Sequence, residues 1–594
     1  MARAATGTKT RADMKIVDRA TREMCDTHVR ESVRQRRLPP ILLSLAAGIA
    51  LFVVQDCAFV AKTVSTGGEQ PVRVAVVTKA KAPPNEGPRV IVFCLDGAGY
   101  PQLMEAIRSG KAQRIAALLG KEQGNGLFEH GYSAPGVLSV LPSSTVADWS
   151  AVFTGKPPAQ NGWPGDEWFD RAHQRFYAPV PITVTQTADF SAMLNDDLIG
   201  SQLKAPTLYE RLKRRSYVSM LMVYRGSTLF TTVPPATFAG FVGNLVEGKL
   251  AGETALEAIS KTLDLDSTSK LLQAIDEHGL PRLQIVYFPG IDIFTHASPD
   301  PLHAQVNYIE NSTDPAVGEV LDAYDKRGAL PNTFVIFVAD HGHTPTLNET
   351  RNRLGPDDPG SPFATLKAAG FRVRKASLTV SKSEEDYQAV IASQGFMAYV
   401  YLADRSTWAA AGHKCDWTRP PRFHADVMRA VRAFYKENQA GQPIPQGKGT
   451  IDLIFAREPA EADEEAEAFK IFDGRTLVPI YRYLRRHPRP DLTDLDERMR
   501  WLGEGPYGGR AGDIVLLAKA SSAIPIQDRY YFAATTHYSW HGSADMSDSN
   551  VPLILALEGG SGAAMQRIVD EVSEDVTLSE MAVTPLVLAL IGRE

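Results

Sequence analysis

Five short apolar runs constrain this chain more than any other feature, because three of them stop abruptly at acidic or histidine residues. Val90–Leu95 ends at Asp96-Gly97, Leu283–Phe288 leads to Asp292 and His296, and Phe334–Ala339 ends at Asp340-His341-Gly342. Two further runs, Ile514–Ala518 after Asp513 and Val551–Leu557, lie nearer the C-terminus. Continuous apolar runs of this kind suit strands covered on both faces, as in a parallel sheet. Helical stretches fall between them, around Leu103–Leu119 and Ala316–Lys326. Alternating strands and helices predict an α/β layered fold, a mostly parallel central sheet flanked by helices. Ligands in such folds bind beyond the carboxyl ends of the strands. Three strands here deliver Asp or His to that edge.

A chain of 594 residues exceeds one small core. We read residues 89–361 as the first part of a catalytic core, 362–505 as an inserted cap, and 506–594 as the last part of the core. The cap is expected to hold a strand pair, Val373–Val380 with Ala398–Leu402, and a helix near Ala425–Asn438. Arg510-Ala511-Gly512-Asp513 is then expected to return the chain to the central sheet. The segment Glu458–Glu467 is acidic and alanine-rich and reads as a solvated helix or loop.

The N-terminus carries the one strong targeting signal. Residues 1–37 are polar and arginine-rich, and the apolar run Leu38–Val54 follows, within a segment at 38–55. Seventeen residues are at the short limit for a bilayer span and long for the apolar part of a signal peptide. Signal anchor and cleaved signal peptide both stay open. The basic flank predicts a cytoplasmic N-terminus with the remainder exported, to the periplasmic or extracellular side. Residues 56–88, rich in Gly and Pro, read as a linker. A net charge of -6 gives no support for a nucleic-acid scaffold. Cys25, Cys57, Cys94 and Cys415 form no CxxC pair and no disulfide framework, and Cys94 and Cys415 read as packing residues.

Asp96, Asp292, His296, Asp340, His341 and His541 are the candidate ligands. A mixed Asp/His set suits Zn²⁺ or a borderline ion such as Mn²⁺. Six ligands are too many for one tetrahedral zinc and suit two ions side by side, which clamp the attacking and leaving oxygens of a phosphoryl displacement. Singly, each residue has a plainer reading as a turn, a loop acid or a surface imidazole. Their shared position at strand ends sets them apart. A nucleophilic hydroxyl is offered by Ser143, Ser144 or Thr145, at the start of a helical stretch ending at Thr154-Gly155. Free N–H groups and the positive dipole end there favour an alkoxide and a bound phosphate. The plainer reading is helix capping. Spacing alone does not choose among the three.

Together, these residues make the chain resemble the type I phosphodiesterase/nucleotide pyrophosphatase branch of the alkaline phosphatase superfamily. The resemblance rests on Leu95-Asp96-Gly97, Leu141-Pro142-Ser143-Ser144-Thr145 with Thr154-Gly155, Asp292 with His296, Asp340-His341-Gly342 and His541-Gly542-Ser543. It implies that Thr145 is the nucleophile. It implies that Asp96, Thr145, Asp340 and His341 surround one divalent ion, and that Asp292, His296 and His541 hold the other, with Zn²⁺ as the expected metal. The implied substrate is a small-molecule phosphate ester, cleaved through a phosphothreonine intermediate.

One departure stands out. Family members commonly place an amide-bearing Asn where this chain has Asp166, and an ionised Asp cannot donate to a phosphate oxygen. Asp166 is therefore a candidate catalytic residue whose role is open: protonated, bound to a further cation, or facing a cationic part of the substrate. Alternatively, Glu167 or Trp168 shifts the register there. Phosphomonoesterase and phosphonate hydrolase are the nearest alternatives. A headgroup phosphotransferase and a membrane-tethered binding protein with a degenerate site are more distant ones. A sulfatase is disfavoured, since no Cys/Ser-x-Pro-x-Arg motif surrounds Thr145.

Overall fold

The computed structural model describes residues 87–178, 198–220, 222–231, 253–374, 387–408, 415–458, 467–573 and 578–592. The segments at 1–37 and 38–55, nearly all of the linker, residues 375–380 and most of Glu458–Glu467 lie outside the described residues. Among the described residues no helix is long and apolar enough to cross a membrane.

All five apolar runs form strands: β1 (Arg89–Leu95), β2 (Leu283–Phe288), β3 (Thr333–Val338), β4 (Ile514–Ala518) and β5 (Leu553–Leu557). Four helices matter to the site: α1 (Thr145–Thr154), α2 (Glu253–His278), α3 (Gly290–Ala297) and α4 (Leu495–Gly503). The central sheet runs Glu122–Gly124, Leu127–Phe128, Gly131–Ser133, β5, β3, β1, β2, Ser216–Val218, Leu229–Phe230. β1 pairs in parallel with both β2 and β3, with Cys94 opposite Val338 and Leu95 opposite Phe288. That register brings the carboxyl ends of all three strands to one edge, where Asp96, Asp292 and Asp340 follow. β5 is antiparallel to β3. The interior of β1 is wholly buried, and Phe93 stacks on Phe337 and Phe288 at 5.2 and 6.2 Å. Burying each such side chain contributes roughly 1.5–3 kcal/mol, so the frame beneath the site is rigid.

A second, antiparallel sheet of six strands runs Ala389–Gln394, Met397–Leu402, β4, Ile451–Ala456, Lys470–Phe472, Leu477–Val478. Here the chain departs from expectation. Arg510–Asp513 leads not into the central sheet but into β4, in the middle of this second sheet, and the central sheet is rejoined only at β5. The reason is burial on both faces. Val515 and Leu517 pack into one apolar cluster, while Ile514, Leu516 and Ala518 pack into another on the opposite side. A strand covered twice is apolar throughout whichever way its neighbours run. Ala398–Leu402 does pair as expected, but with Ala389–Gln394, and Val373 contributes only an isolated bridge to Ala389. The expected cap helix is present at Met428–Ala440. Cys94 and Cys415 are both buried and pack in the apolar clusters.

Candidate metal and nucleophile site

Ser144 ends an extended segment and Thr145 opens α1, which closes at Gly155 in the left-handed conformation. Ser143 and Ser144 are wholly buried, whereas Thr145 is partly exposed, so only Thr145 of the three hydroxyls can be reached from outside. Its Oγ1 lies 3.2 Å from His341 Nε2. Ser144 makes no side-chain cap to the helix. The Val146 N–H instead donates to Asp166 Oδ1 at 3.0 Å, so Asp166 caps α1 from the loop beyond it. Burial pushes the Asp166 carboxyl up to about 6, against the Val146 N–H that favours its ionised form.

The three carboxylates sit at the strand ends. Asp96 Oδ2 accepts from Trp149 Nε1 at 3.2 Å and from the Tyr287 hydroxyl. Asp340 Oδ1 accepts from the N–H groups of Gly97 and His341 at 2.9 and 3.0 Å. Each acid thus has one oxygen tied down. The other, Asp96 Oδ1 or Asp340 Oδ2, is buried with no hydrogen-bond donor among the described residues, and so is Asp292 Oδ1. Burial, and then neighbouring carboxylates, hold Asp96 and Asp340 well above the usual carboxylic range. Gly97 turns at a positive φ of 71° directly behind Asp96, and a Cβ there would meet His343 Nε2 at 2.7 Å. The turn must be glycine for conformation and for space.

The imidazoles are anchored by their other nitrogen. Nδ1 of His296, His341 and His541 lies 2.7, 3.0 and 3.0 Å from the carbonyl oxygens of Ser539, Gly342 and Ser143. A carbonyl only accepts, so each Nδ1 carries a proton, and in the neutral rings Nε2 is then a bare lone pair. Burial lowers His341 to about 3, and lowers His541 strongly, so both are neutral. For His296 burial also pulls downward, but the Asp292 carboxylate more than offsets it. Nε2 of His341 lies 3.7 Å from Asp96 Oδ1 and 3.5 Å from Asp340 Oδ2. Nε2 of His296 and His541 lies 3.3 and 3.7 Å from Asp292 Oδ1.

Facing lone pairs without hydrogens between them repel, and each unpaired buried acceptor is costly. A tetrahedral ion with bonds of about 2.0–2.1 Å sets its donors roughly 3.3 Å apart, close to the 3.3–3.7 Å found here. Asp96, Asp340 and His341 offer donor atoms within 4.8 Å of one another, as do Asp292, His296 and His541. The donor types and the orphaned oxygens fit divalent metal. Every expected site residue is gathered here: Thr145, Asp166, Asp96, Asp292, His296, Asp340, His341 and His541.

Two residues escaped the sequence reading. His343 is buried and reaches Asp292 Oδ1 at 3.0 Å. Its signal was the spacing of two from His341, which puts both rings on one side of an extended segment. Arg498, on α4, is wholly buried, and its guanidinium donates to Ser139 O, Val140 O and Ser143 Oγ at 3.0, 3.1 and 2.8 Å. No local pattern marks it. His537 packs behind the site, its ring 5.3 Å from that of His296 and its Nε2 on Thr535 Oγ1.

Residues 90–404 match the model of the type I phosphodiesterase/nucleotide pyrophosphatase family. An uncharacterized pyrophosphatase/phosphodiesterase of Schizosaccharomyces pombe is 24% identical over 232 residues, which is 38% of this chain. The match spans 41% of that relative's length, less than half of it. Among solved structures, murine and human ectonucleotide pyrophosphatase/phosphodiesterase 5 each give a TM-score of 0.47, at 11% and 12% identity. Both comparisons cover 85% of this chain and 95% of the other.

Proposed function

Because this chain belongs to the type I phosphodiesterase/nucleotide pyrophosphatase family, we propose that it hydrolyses small-molecule phosphate diesters or pyrophosphates through Thr145. The observation that carries the reading is the setting of Thr145 Oγ1. It is the reachable hydroxyl at the head of α1, 3.2 Å from His341 Nε2, beside buried acceptors left without a hydrogen-bond partner among the described residues. Asp96, Thr145, Asp340 and His341 would hold one divalent cation, and Asp292, His296 and His541 the other, with Zn²⁺ the best chemical match. Two such ions, when bound, supply Lewis acidity toward phosphoryl oxygens and lower the pKa of a hydroxyl or a water.

The protein's own part is positioning. The N-terminus of α1 favours negative charge on Thr145 Oγ1 and on the phosphoryl group beside it. Attack forms the phosphorus–oxygen bond to Thr145 as the bond to the leaving alcohol or nucleotide breaks. Water then cleaves the phosphothreonine, returning the hydroxyl and releasing a phosphomonoester. The diester reading is favoured over a monoesterase by the arginine nearest the Asp166 loop. Arg171 spends its guanidinium on the Leu402 carbonyl at 2.7 Å and on Asp513, rather than on a terminal phosphate. From the basic and then apolar order of residues 1–55 we also place the catalytic body outside the cytoplasm, anchored or secreted.

The test is a panel of aryl phosphodiester, nucleotide pyrophosphate and aryl phosphomonoester, run on zinc-loaded and chelator-stripped protein. Turnover of the first two that vanishes on stripping and returns with zinc supports the reading. Turnover indifferent to stripping, or none on any substrate, overturns it.

A further inference from the structure

The donor count around Asp292 is one higher than the family resemblance implies. His343 is 1% exposed, on the segment that follows β3, and its ring lies against both donor groups. Its centroid is 4.8 Å from that of His296, 5.5 Å from His541 and 5.7 Å from His341. Asp292, His341 and His343 offer donor atoms within 4.8 Å of one another, so His343 stands where the two groups meet.

The hydrogen bonds fix what its inner nitrogen can do. His343 Nδ1 lies 3.0 Å from Ser539 Oγ, and the Ser539 hydroxyl donates to the Thr295 carbonyl at 3.2 Å. With that proton committed, Nδ1–H donates to Ser539 Oγ and Nε2 is a bare lone pair. Nε2 is 3.0 Å from Asp292 Oδ1, yet neither atom has a hydrogen-bond partner among the described residues. In the other tautomer, Nε2–H would be a buried donor with no acceptor along its axis. Both arrangements leave unmatched polar atoms at contact distance in the interior, and a cation beside them resolves either. Gly97 shapes the same spot, since any side chain there would strike His343 Nε2.

We infer that His343 is a metal ligand, giving Nε2 to a cation that Asp292 also holds, so that four imidazoles rather than three bind metal in this protein. The inference rests on the metal-dependent reading above and sharpens it. A further neutral nitrogen donor raises affinity for a borderline ion such as Zn²⁺ without changing the site's charge, and disfavours Mg²⁺, which prefers oxygen.

The full-length protein is stripped, reloaded with Co²⁺, and examined by proton NMR for strongly shifted, solvent-exchangeable ring N–H signals, one for each ligating imidazole. Zinc affinity is measured in parallel by chelator competition. Four shifted signals are expected in the parent and three in His343→Gln, with zinc affinity falling at least about tenfold. His537→Gln is expected to keep all four signals and the parent's affinity. Three signals in the parent, or four in His343→Gln, overturn the inference while leaving the metal-dependent reading intact. A parent that takes up neither Co²⁺ nor Zn²⁺ overturns both. The count in the parent decides the matter even if the variant fails to fold, which thermal melting of the metal-free forms reports.

Discussion

Thr145 stands out from Ser143 and Ser144 by access alone, a distinction that spacing in the sequence could not supply. Ser143 Oγ is consumed by Arg498 and by the Ser543 carbonyl, and Ser144 is wholly buried. Thr145→Ala is therefore expected to lower kcat by more than about 10³-fold on an aryl phosphodiester, since the covalent route is removed. Thr145→Ser should keep measurable turnover, and acid-quenched parent should carry on Thr145, in a peptide map, the phosphoryl group with the substrate's remaining ester still attached. An unphosphorylated Thr145 with undiminished turnover in Thr145→Ala would refute the nucleophile. Asp166 makes a second case. Its Oδ1 already takes the Val146 N–H, so in ionised form it sets negative charge where a phosphoryl oxygen would approach. An Asn keeps that acceptor and adds a donor. Asp166→Asn is expected to lower KM for the diester at least threefold at pH 8, and to tighten inhibition by inorganic phosphate. An unchanged KM would remove Asp166 from the phosphate's surroundings.

Two helices hold the site residues in place, and both depend on buried polar contacts. Arg498 on α4 reaches across to Ser139, Val140 and Ser143, while the Val140 N–H donates to Asp148 Oδ1 and Glu580 Oε1, each at 3.1 Å. This ties the cap to the loop that leads into α1. Arg498→Met strands those acceptors, and a stability loss of about 3–5 kcal/mol is expected in urea melts, with kcat reduced more than KM. On α2, Asp264 accepts the Gly290 N–H at 3.0 Å and the Tyr308 hydroxyl at 2.8 Å, and so caps α3, the helix carrying Asp292 and His296. Burial raises Asp264 from the ordinary 3.8 to about 7. Between those values the folded state holds a proton that the unfolded state has lost, so stability rises as pH falls from about 7 toward 4 and is flat above 7. Asp264→Asn mimics the protonated acid. It should approach the parent only near pH 4, already exceed it by roughly 1.5 kcal/mol at pH 5, and exceed it at pH 8 by up to roughly 4 kcal/mol. Equal stability at both pH values would show that the carboxyl is ionised throughout.

For the molecule as a whole, the sequence disclosed what repeats and concealed what crosses. Apolar runs ending in Asp or His were legible because sheet burial and strand-end placement are both written locally. The sheet to which β4 belongs was not legible, since burial on both faces erases the alternation that tells one packing from another. His343 and Arg498 were hidden for a related reason: each acts on residues far away in the chain, and nothing beside either one says so. The same long-range design has a thermodynamic consequence. β1, β2 and β3 lie side by side in the core, yet each carries toward one edge an acid with an oxygen that no described residue satisfies. Without cations, burial and the neighbouring carboxylates hold Asp96 and Asp340 well above the normal carboxylic range, so the bare fold keeps these acids only at an energetic cost. Ions that bind the folded state and not the unfolded one stabilise it by about 4 kcal/mol for each site at a thousandfold excess over Kd. Stripping the protein should therefore lower Tm by several degrees, and zinc should restore it more fully than Mg²⁺. If the loss is confined to the strand ends, hydrogen exchange should quicken at Gly97 and His341, whose N–H groups hold Asp340, while Val92 and Ile336 in the strand interiors stay protected. A melting curve indifferent to chelation would mean that the carboxylates are satisfied by protons instead, and that the edge of this sheet is not a metal site.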